Sequence, residues 1–197
     1  MRNHKSNSAR AGYRVLETAR PYQSEISNLC VDRVQVDGRE MTYSYLERAP
    51  GIIIVPATKD GQIVLIRQYR YPCDDWCLEV PAGGTHDTND LSFEEVACKE
   101  LREEIGATCE SLEYISNFYS CSSLTDEKCH VFLARGVEMV QRAQTEDGEN
   151  IQIEQVPIEE ALYLARAGKM KTAPCTLALL LCEPMLRELV SYEPMSR

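Results

Sequence analysis

The chain has 197 residues, 44% of them hydrophobic, and a formal net charge of −10 at pH 7. That length suits one domain with a small appended part, and the apolar content is enough for a core. No apolar run approaches the roughly 18 residues that cross a bilayer. The acidic balance also argues against nucleic acid as a partner, because phosphate backbones need basic surfaces. Small anionic ligands stay open, since a metal and a few arginines can supply local positive charge. The cysteines number nine, an odd count with no secretory segment ahead of them. They read as reduced thiols in a cytoplasmic protein. Cys73-x3-Cys77 and Cys129-His130 do not repeat at a zinc spacing, and Cys98 is expected to be small core filling.

Residues 1–12 are polar and basic, with no acidic residue before Glu17, and are expected to form a disordered tail. From 13 to 48 the pattern is β. Residues 29–36 and 39–46 flank Asp37-Gly38, a type I′ hairpin signal. A two-residue turn there pairs Val34 with Met41 and places Cys30, Val36, Tyr43 and Tyr45 on the same side. That apolar face is larger than one hairpin can cover, which points to a cover from the rest of the chain or from a second subunit. A second domain, 49–197, follows Ala49-Pro50-Gly51. Ile52-Ile53-Ile54-Val55 reads as a buried strand, and Asp60-Gly61 turns into a strand over 62–70. Arg67 and Arg70 close that apolar strand, where a bound anion would explain them.

Residues 78–83 lead through a Gly-rich turn (Gly83, Gly84) into a helix. Ser92 and Glu95 have the spacing of a capping box, and Gly106 stands where a left-handed C-terminal cap needs glycine. Glu100, Glu103 and Glu104 lie at i, i+3 and i+4, so the three carboxylates are expected on one face. Val96, Ala97, Leu101 and Ile105 form the apolar face. Clustered like charges oppose helix stability, whereas a hard divalent cation takes oxygen ligands and keeps room for waters and phosphates. Beyond the helix, 112–119 and 128–134 are strand-like and 120–127 is a polar loop. Residues 144–150 form a second acidic loop before the alternating strand Ile151, Ile153, Gln155. A short helix follows over 158–167. Pro174 opens a last helix in which Pro184 is a point of possible kinking.

Lys99-Glu100-Leu101-Arg102-Glu103-Glu104-Ile105-Gly106-Ala107 resembles the second half of the Nudix hydrolase signature, Gly-x5-Glu-x7-Arg-Glu-apolar-x-Glu-Glu-x-Gly-apolar. Lys99 stands in place of the family's Arg, Leu91 in the register of the upstream Glu, and Thr85 in that of the Gly. Arg67-Gln68-Tyr69-Arg70, Glu79-Val80-Pro81-Ala82-Gly83 and Phe132-Leu133-Ala134 resemble the ADP-ribose pyrophosphatase branch, so the resemblance covers most of the chain. It implies an α/β fold: a Nudix-like α/β/α sandwich with a mixed sheet, preceded by an N-terminal antiparallel β-meander that makes a homodimer.

The same resemblance implies Mg²⁺ or Mn²⁺ bound mainly by Glu100 and Glu104 with the Ala82 carbonyl. Glu103 would share a metal or orient a water, with Lys99, Gly83 and Gly84 in support. The general base would be Glu149, with Glu146 as the alternative. Arg67, Arg70 and Glu79 would meet the substrate, a nucleoside diphosphate-linked small molecule such as ADP-ribose. Ser122 and Ser123 stand where that branch carries a proline, usually Pro-Gly. A catalytically weak domain that binds a nucleotide and regulates a partner is the alternative function.

Overall fold

The computed structural model describes residues 8–88, 90–143 and 150–191. It divides into two compact units, Met1–Ala49 with Tyr119–Glu127, and Pro50–Phe118 with Lys128–Arg197. The smaller unit is therefore discontinuous, and takes in a segment that the sequence places in the domain over 49–197. Of the expected tail, 1–12, residues 1–7 lie outside the described residues, while 8–12 close a turn in which Tyr13 N donates to Ser8 O (2.8 Å).

The smaller unit carries three antiparallel strands in the order β1-β2-β3: β1 (Arg14–Gln23), β2 (Ser27–Val36) and β3 (Arg39–Arg48). Asp37 and Gly38 both have positive φ (49° and 75°), the type I′ geometry that matches the twist of the strands it joins. The register pairs Val34 with Met41, as the turn length requires. The apolar face differs from the expectation. Cys30 and Val34 are buried on the central strand, but so is Asp32, which accepts from Thr18 Oγ1 at 2.7 Å. Arg20 and Asn28 both donate to Glu47 on the same face. Polar rungs thus cross a surface whose apolar remainder includes Met41 and Tyr43, both still exposed. Residues 119–127 lie along β3: Leu46 N donates to Leu124 O (2.8 Å) and Arg48 N to Asp126 Oδ1 (2.9 Å). The loop thereby occupies backbone groups that an edge strand would otherwise leave open.

The larger unit is built on a mixed sheet of eight strands. These are β4 (Gly51–Thr58), β5 (Gln62–Arg70), β6 (Asp75–Glu79), β7 (Ala82–Gly84), β8 (Ala107–Thr108), β9 (Ser111–Tyr119), β10 (Lys128–Met139) and β11 (Ile151–Pro157). β10 runs parallel to β4, while β11 and β6 flank β5 antiparallel to it. Strand alternation sorts the core into two layers. Ile52, Ile54, Val64, Ile66 and Phe132 pack with α1 (Phe93–Ile105). Ile53, Val55, Ile63, Leu65 and Leu133 pack with α2 (Ile158–Arg166) and α3 (Ala173–Ser191). Residues 52–57 of β4 are buried without interruption, as a strand covered on both faces demands. This is the α/β/α sandwich with a mixed sheet and a separate antiparallel meander that the sequence implies. Among the described residues no helix is long and apolar enough to cross a membrane.

Candidate active site

α1 is held at both ends by its own sequence. Glu95 N donates to Ser92 Oγ (3.2 Å) and Ser92 N to Glu95 Oε2 (2.7 Å), which completes the capping box. Gly106 ends the helix at φ 65°, and a Cβ there would sit 2.2 Å from Gln141 O, so both conformation and space demand glycine. Val96, Ala97, Leu101 and Ile105 are buried against the sheet.

The three helix carboxylates do not share one environment. Glu100 and Glu104, one turn apart, are both buried beside β7. A Cβ on Gly83 would fall 2.1 Å from Glu100 Cδ, so the carboxylate occupies the space a side chain would take. Glu104 Oε2 accepts from Ala82 N at 2.9 Å. Glu103 sits about 60° around the helix from Glu100, away from Glu104. It is partly exposed and paired with Lys99 at 2.9 Å. The expected single face is therefore a buried pair plus an outlier, because Glu103 points about 100° around the helix from Glu104.

Lys99 does more than pair with Glu103. Its Nζ also lies 3.7 Å from Asp87 Oδ2 in the loop before the helix. Glu103, and then Glu100 and Asp87, hold its ammonium above the usual lysine range. Asp87, which the sequence reading passed over, thus places a loop carboxylate beside Lys99, whereas Leu91 is exposed. Thr85, in the register of the signature glycine, sends both N and Oγ1 to Pro50 O at 3.0 Å. A Cβ on Gly84 would meet only the His86 ring, at Nδ1 (2.9 Å) and Cε1 (3.6 Å).

The two strand-end arginines separate. Arg67 follows Ile63 and Leu65 onto the α2–α3 side of β5 and binds Glu154 of β11, Nε to Oε1 at 2.7 Å. It is not beside the α1 carboxylates; three residues apart on a strand means opposite faces. Arg70 follows Val64 and Ile66 on the α1 side, where Glu104 is among the charges that raise its pKa after the leading cause, its hydrogen bonds to Glu79. Glu79 is fully buried and accepts from Arg70 Nη2 (2.5 Å) and Nε (3.0 Å), and from Thr172 Oγ1 (2.6 Å). Its oxygens serve the protein rather than facing an open cleft. Gln68, on the same side of β5 as Arg70, is 5% exposed, and among the described residues its Oε1 has no hydrogen-bond partner. Cys98 is exposed, not core filling, because it lies off the α1 face that Val96 and Leu101 bury. Glu146 and Glu149 lie outside the described residues.

Among the described residues no three His, Cys, Asp or Glu side chains converge on one point as a finished metal site. The donors that are present still suit a hard divalent cation. Glu100 and Glu104 are buried oxygen donors one turn apart, and Gly83, without a Cβ, leaves room for the Glu100 carboxylate. Such a pair leaves coordination positions for waters and phosphate, as Mg²⁺ requires.

The NUDIX domain profile matches residues 47–177. The chain belongs to the NUDIX family. It is a Nudix pyrophosphohydrolase with an ADP-ribose pyrophosphatase-like sequence, and Nudix hydrolases use a divalent metal. An ADP-ribose pyrophosphatase of Bacillus subtilis (strain 168) is 27% identical over 160 residues, covering 80% of this chain and 85% of that protein. A methanol dehydrogenase activator of Bacillus methanolicus is 26% identical over 168 residues, covering 84% and 90%. A solved structure titled as an ADP compounds hydrolase shares the fold with a TM-score of 0.76 at 20% identity, covering 89% of this chain and 95% of that one.

Lys99 bridges the loop and α1 as a point charge, where the family's Arg offers a planar fork. Lys99→Arg is expected to preserve or raise kcat/KM, and Lys99→Ala to lower it by several-fold. Equal kcat/KM in all three proteins would reduce position 99 to surface.

Proposed function

We propose that this Nudix chain hydrolyses the pyrophosphate bond of ADP-ribose, or of a related nucleoside diphosphate sugar, to AMP and ribose 5-phosphate, with Mg²⁺ or Mn²⁺ as the metal. The observation that carries the reading is Arg70, a guanidinium gripped by a buried carboxylate on the same sheet face as the Glu100–Glu104 pair. Phosphate anions repel a nucleophile, so the site has to neutralise charge before water can attack. Glu100, Glu104 and the Ala82 carbonyl would hold a divalent ion, which would supply most of that neutralisation and lower the pKa of a bound water. Arg70 contributes the N–H groups that Glu79 leaves free to the diphosphate. Glu149 accepts the proton of the attacking water, with Glu146 as the alternative. A new P–O bond forms at one phosphorus, and the bridging oxygen leaves with the other phosphate.

The smaller unit carries an aromatic surface of its own. Tyr43, Tyr45 and Tyr119 line a groove of about 460 Å³ there, together with Ser122 and Ser123. A purine stacks on such rings. The protein works as a cytoplasmic homodimer, the meander supplying the contact through its exposed Met41 and Tyr43.

The test is a panel of nucleoside diphosphate sugars and nucleoside triphosphates with Mg²⁺ and Mn²⁺, analysed by chromatography, with mass measured by light scattering. ADP-ribose should give AMP and ribose 5-phosphate in equal amounts from a dimer. A tenfold preference for a triphosphate, about 1.4 kcal/mol of transition-state binding, would reject the substrate assignment. A monomer at micromolar concentration would reject the dimer. The second reading, a nucleotide-binding regulator, draws on the activator relative and on the Lys99 and Leu91 departures. It predicts binding of ADP-ribose without turnover.

A further inference from the structure

We infer that Thr172 is a positioning residue for the phosphate-binding guanidinium of Arg70, and acts on it through Glu79. The inference rests on the role proposed above for Arg70. Glu79 closes β6 and is completely buried. It pairs in register with Ile66, which places it on the α1 side of the sheet with Arg70. Its Oε2 takes Arg70 Nη2, while Oε1 takes both Arg70 Nε (3.0 Å) and Thr172 Oγ1 (2.6 Å). The fork spends the Nε–H and one Nη2–H. Among the described residues both Nη1 hydrogens and the outer Nη2 hydrogen remain for a ligand, on a side chain that is 40% exposed.

A fork alone does not set the direction of the guanidinium. The last torsion of a glutamate is broad and roughly two-fold, so carboxylate and guanidinium can swing together as one plate. A third donor in contact with Oε1 removes that freedom. Thr172 is suited to the task because it is itself fixed. Thr176 N and Thr176 Oγ1 donate to Thr172 O at 3.0 and 3.1 Å. The neighbouring Lys171 pairs with Asp75 at the start of β6, and Cys175 Sγ contacts Val80 O at 3.8 Å just past its end. The turn between α2 and α3 is thus fastened to both ends of the strand that carries Glu79. A hydroxyl just ahead of a helix usually accepts a backbone N–H. The proton of this one is given to a buried carboxylate, a charge-assisted bond stronger than a neutral one.

Thr172→Val removes the O–H at constant shape, and Thr172→Ser keeps it. With ADP-ribose, Thr172→Val should raise KM by about tenfold, the scale of one charge-assisted hydrogen bond, and Thr172→Ser should stay within about twofold. In an Arg70→Ala background the same Thr172→Val change should have no further effect, because its route runs through Arg70. A purely structural threonine would lower both backgrounds alike, and that result overturns the proposal. A second readout does not need turnover. The Arg70 Nε–H resonance, assigned by its loss in Arg70→Lys, should shift and exchange faster with solvent in Thr172→Val but not in Thr172→Ser. An unchanged resonance also overturns the proposal. If the wild type leaves ADP-ribose uncleaved, the substrate reading fails while the resonance still decides the positioning role. Should Thr172→Val not fold, Thr172→Ala takes its place with the same expectations.

Discussion

Glu104→Gln is expected to reduce turnover by 10²-fold or more, about the loss seen when one preorganised electrostatic contact is deleted from an active site. The fold should survive. A glutamine keeps the shape of the side chain, and its amide oxygen can still accept from Ala82 N, the 2.9 Å contact that ties the helix to β7. What disappears is a negative charge on a residue that is only 4% exposed. A buried carboxylate is expensive to desolvate, so the metal-free variant should melt at the wild-type temperature or above it. A divalent ion that binds only the folded protein raises the melting temperature with its concentration, and the variant should gain less from it than the wild type. Glu103→Gln should lose less activity, since Glu103 is half-exposed and already paired with Lys99. Full activity of Glu104→Gln at saturating Mg²⁺ would remove Glu104 from the metal site.

The local patterns that determine this fold are plain in the sequence. Asp37-Gly38 specifies both the turn and its register. Ser92, Glu95 and Gly106 mark the ends of α1, and the uninterrupted apolar run of β4 announces a strand covered on both sides. The assignment of Arg67 could have been settled from the same text, because alternation along β5 puts residues 67 and 70 on opposite faces. The helical period likewise takes Cys98 off the face that Val96 and Leu101 bury. Other features have no local signature. Nothing near residue 79 says that Glu79 loses all its solvent, or that its third donor comes from a turn 93 residues later. Residues 119–127 read as an ordinary strand connection, and their attachment to β3 depends on backbone pairing that no side-chain pattern encodes. Asp87 was hidden for a related reason: the signature looks for a glutamate at a fixed spacing, whereas charge balance needs only a carboxylate within reach of Lys99.

Gly83→Ala should abolish measurable turnover and destabilise the protein by about 1–3 kcal/mol, the range for overpacking a well-filled site. The backbone is not the reason, because Gly83 is absent from the glycines with positive φ and alanine could adopt its conformation. The obstacle is Glu100, whose Cδ and Oε1 would both lie 2.1 Å from the new methyl group. Neither support can retreat easily. Gly83 is paired with Ile52 in the sheet, and α1 is capped at both ends and seated on Val96, Leu101 and Ile105. The Glu100 carboxylate must therefore leave its place, and the metal ligand proposed there leaves with it. Gly84→Ala makes the contrast: its methyl meets only the His86 ring, at Nδ1 (2.9 Å) and Cε1 (3.6 Å), a side chain that can swing aside, and near wild-type activity is expected. Adding Glu100→Ala to Gly83→Ala removes the clash, so the double variant should match Glu100→Ala in stability while remaining inactive. A stable, active Gly83→Ala would mean that Glu100 can move without consequence, and it would no longer be tenable as a metal ligand.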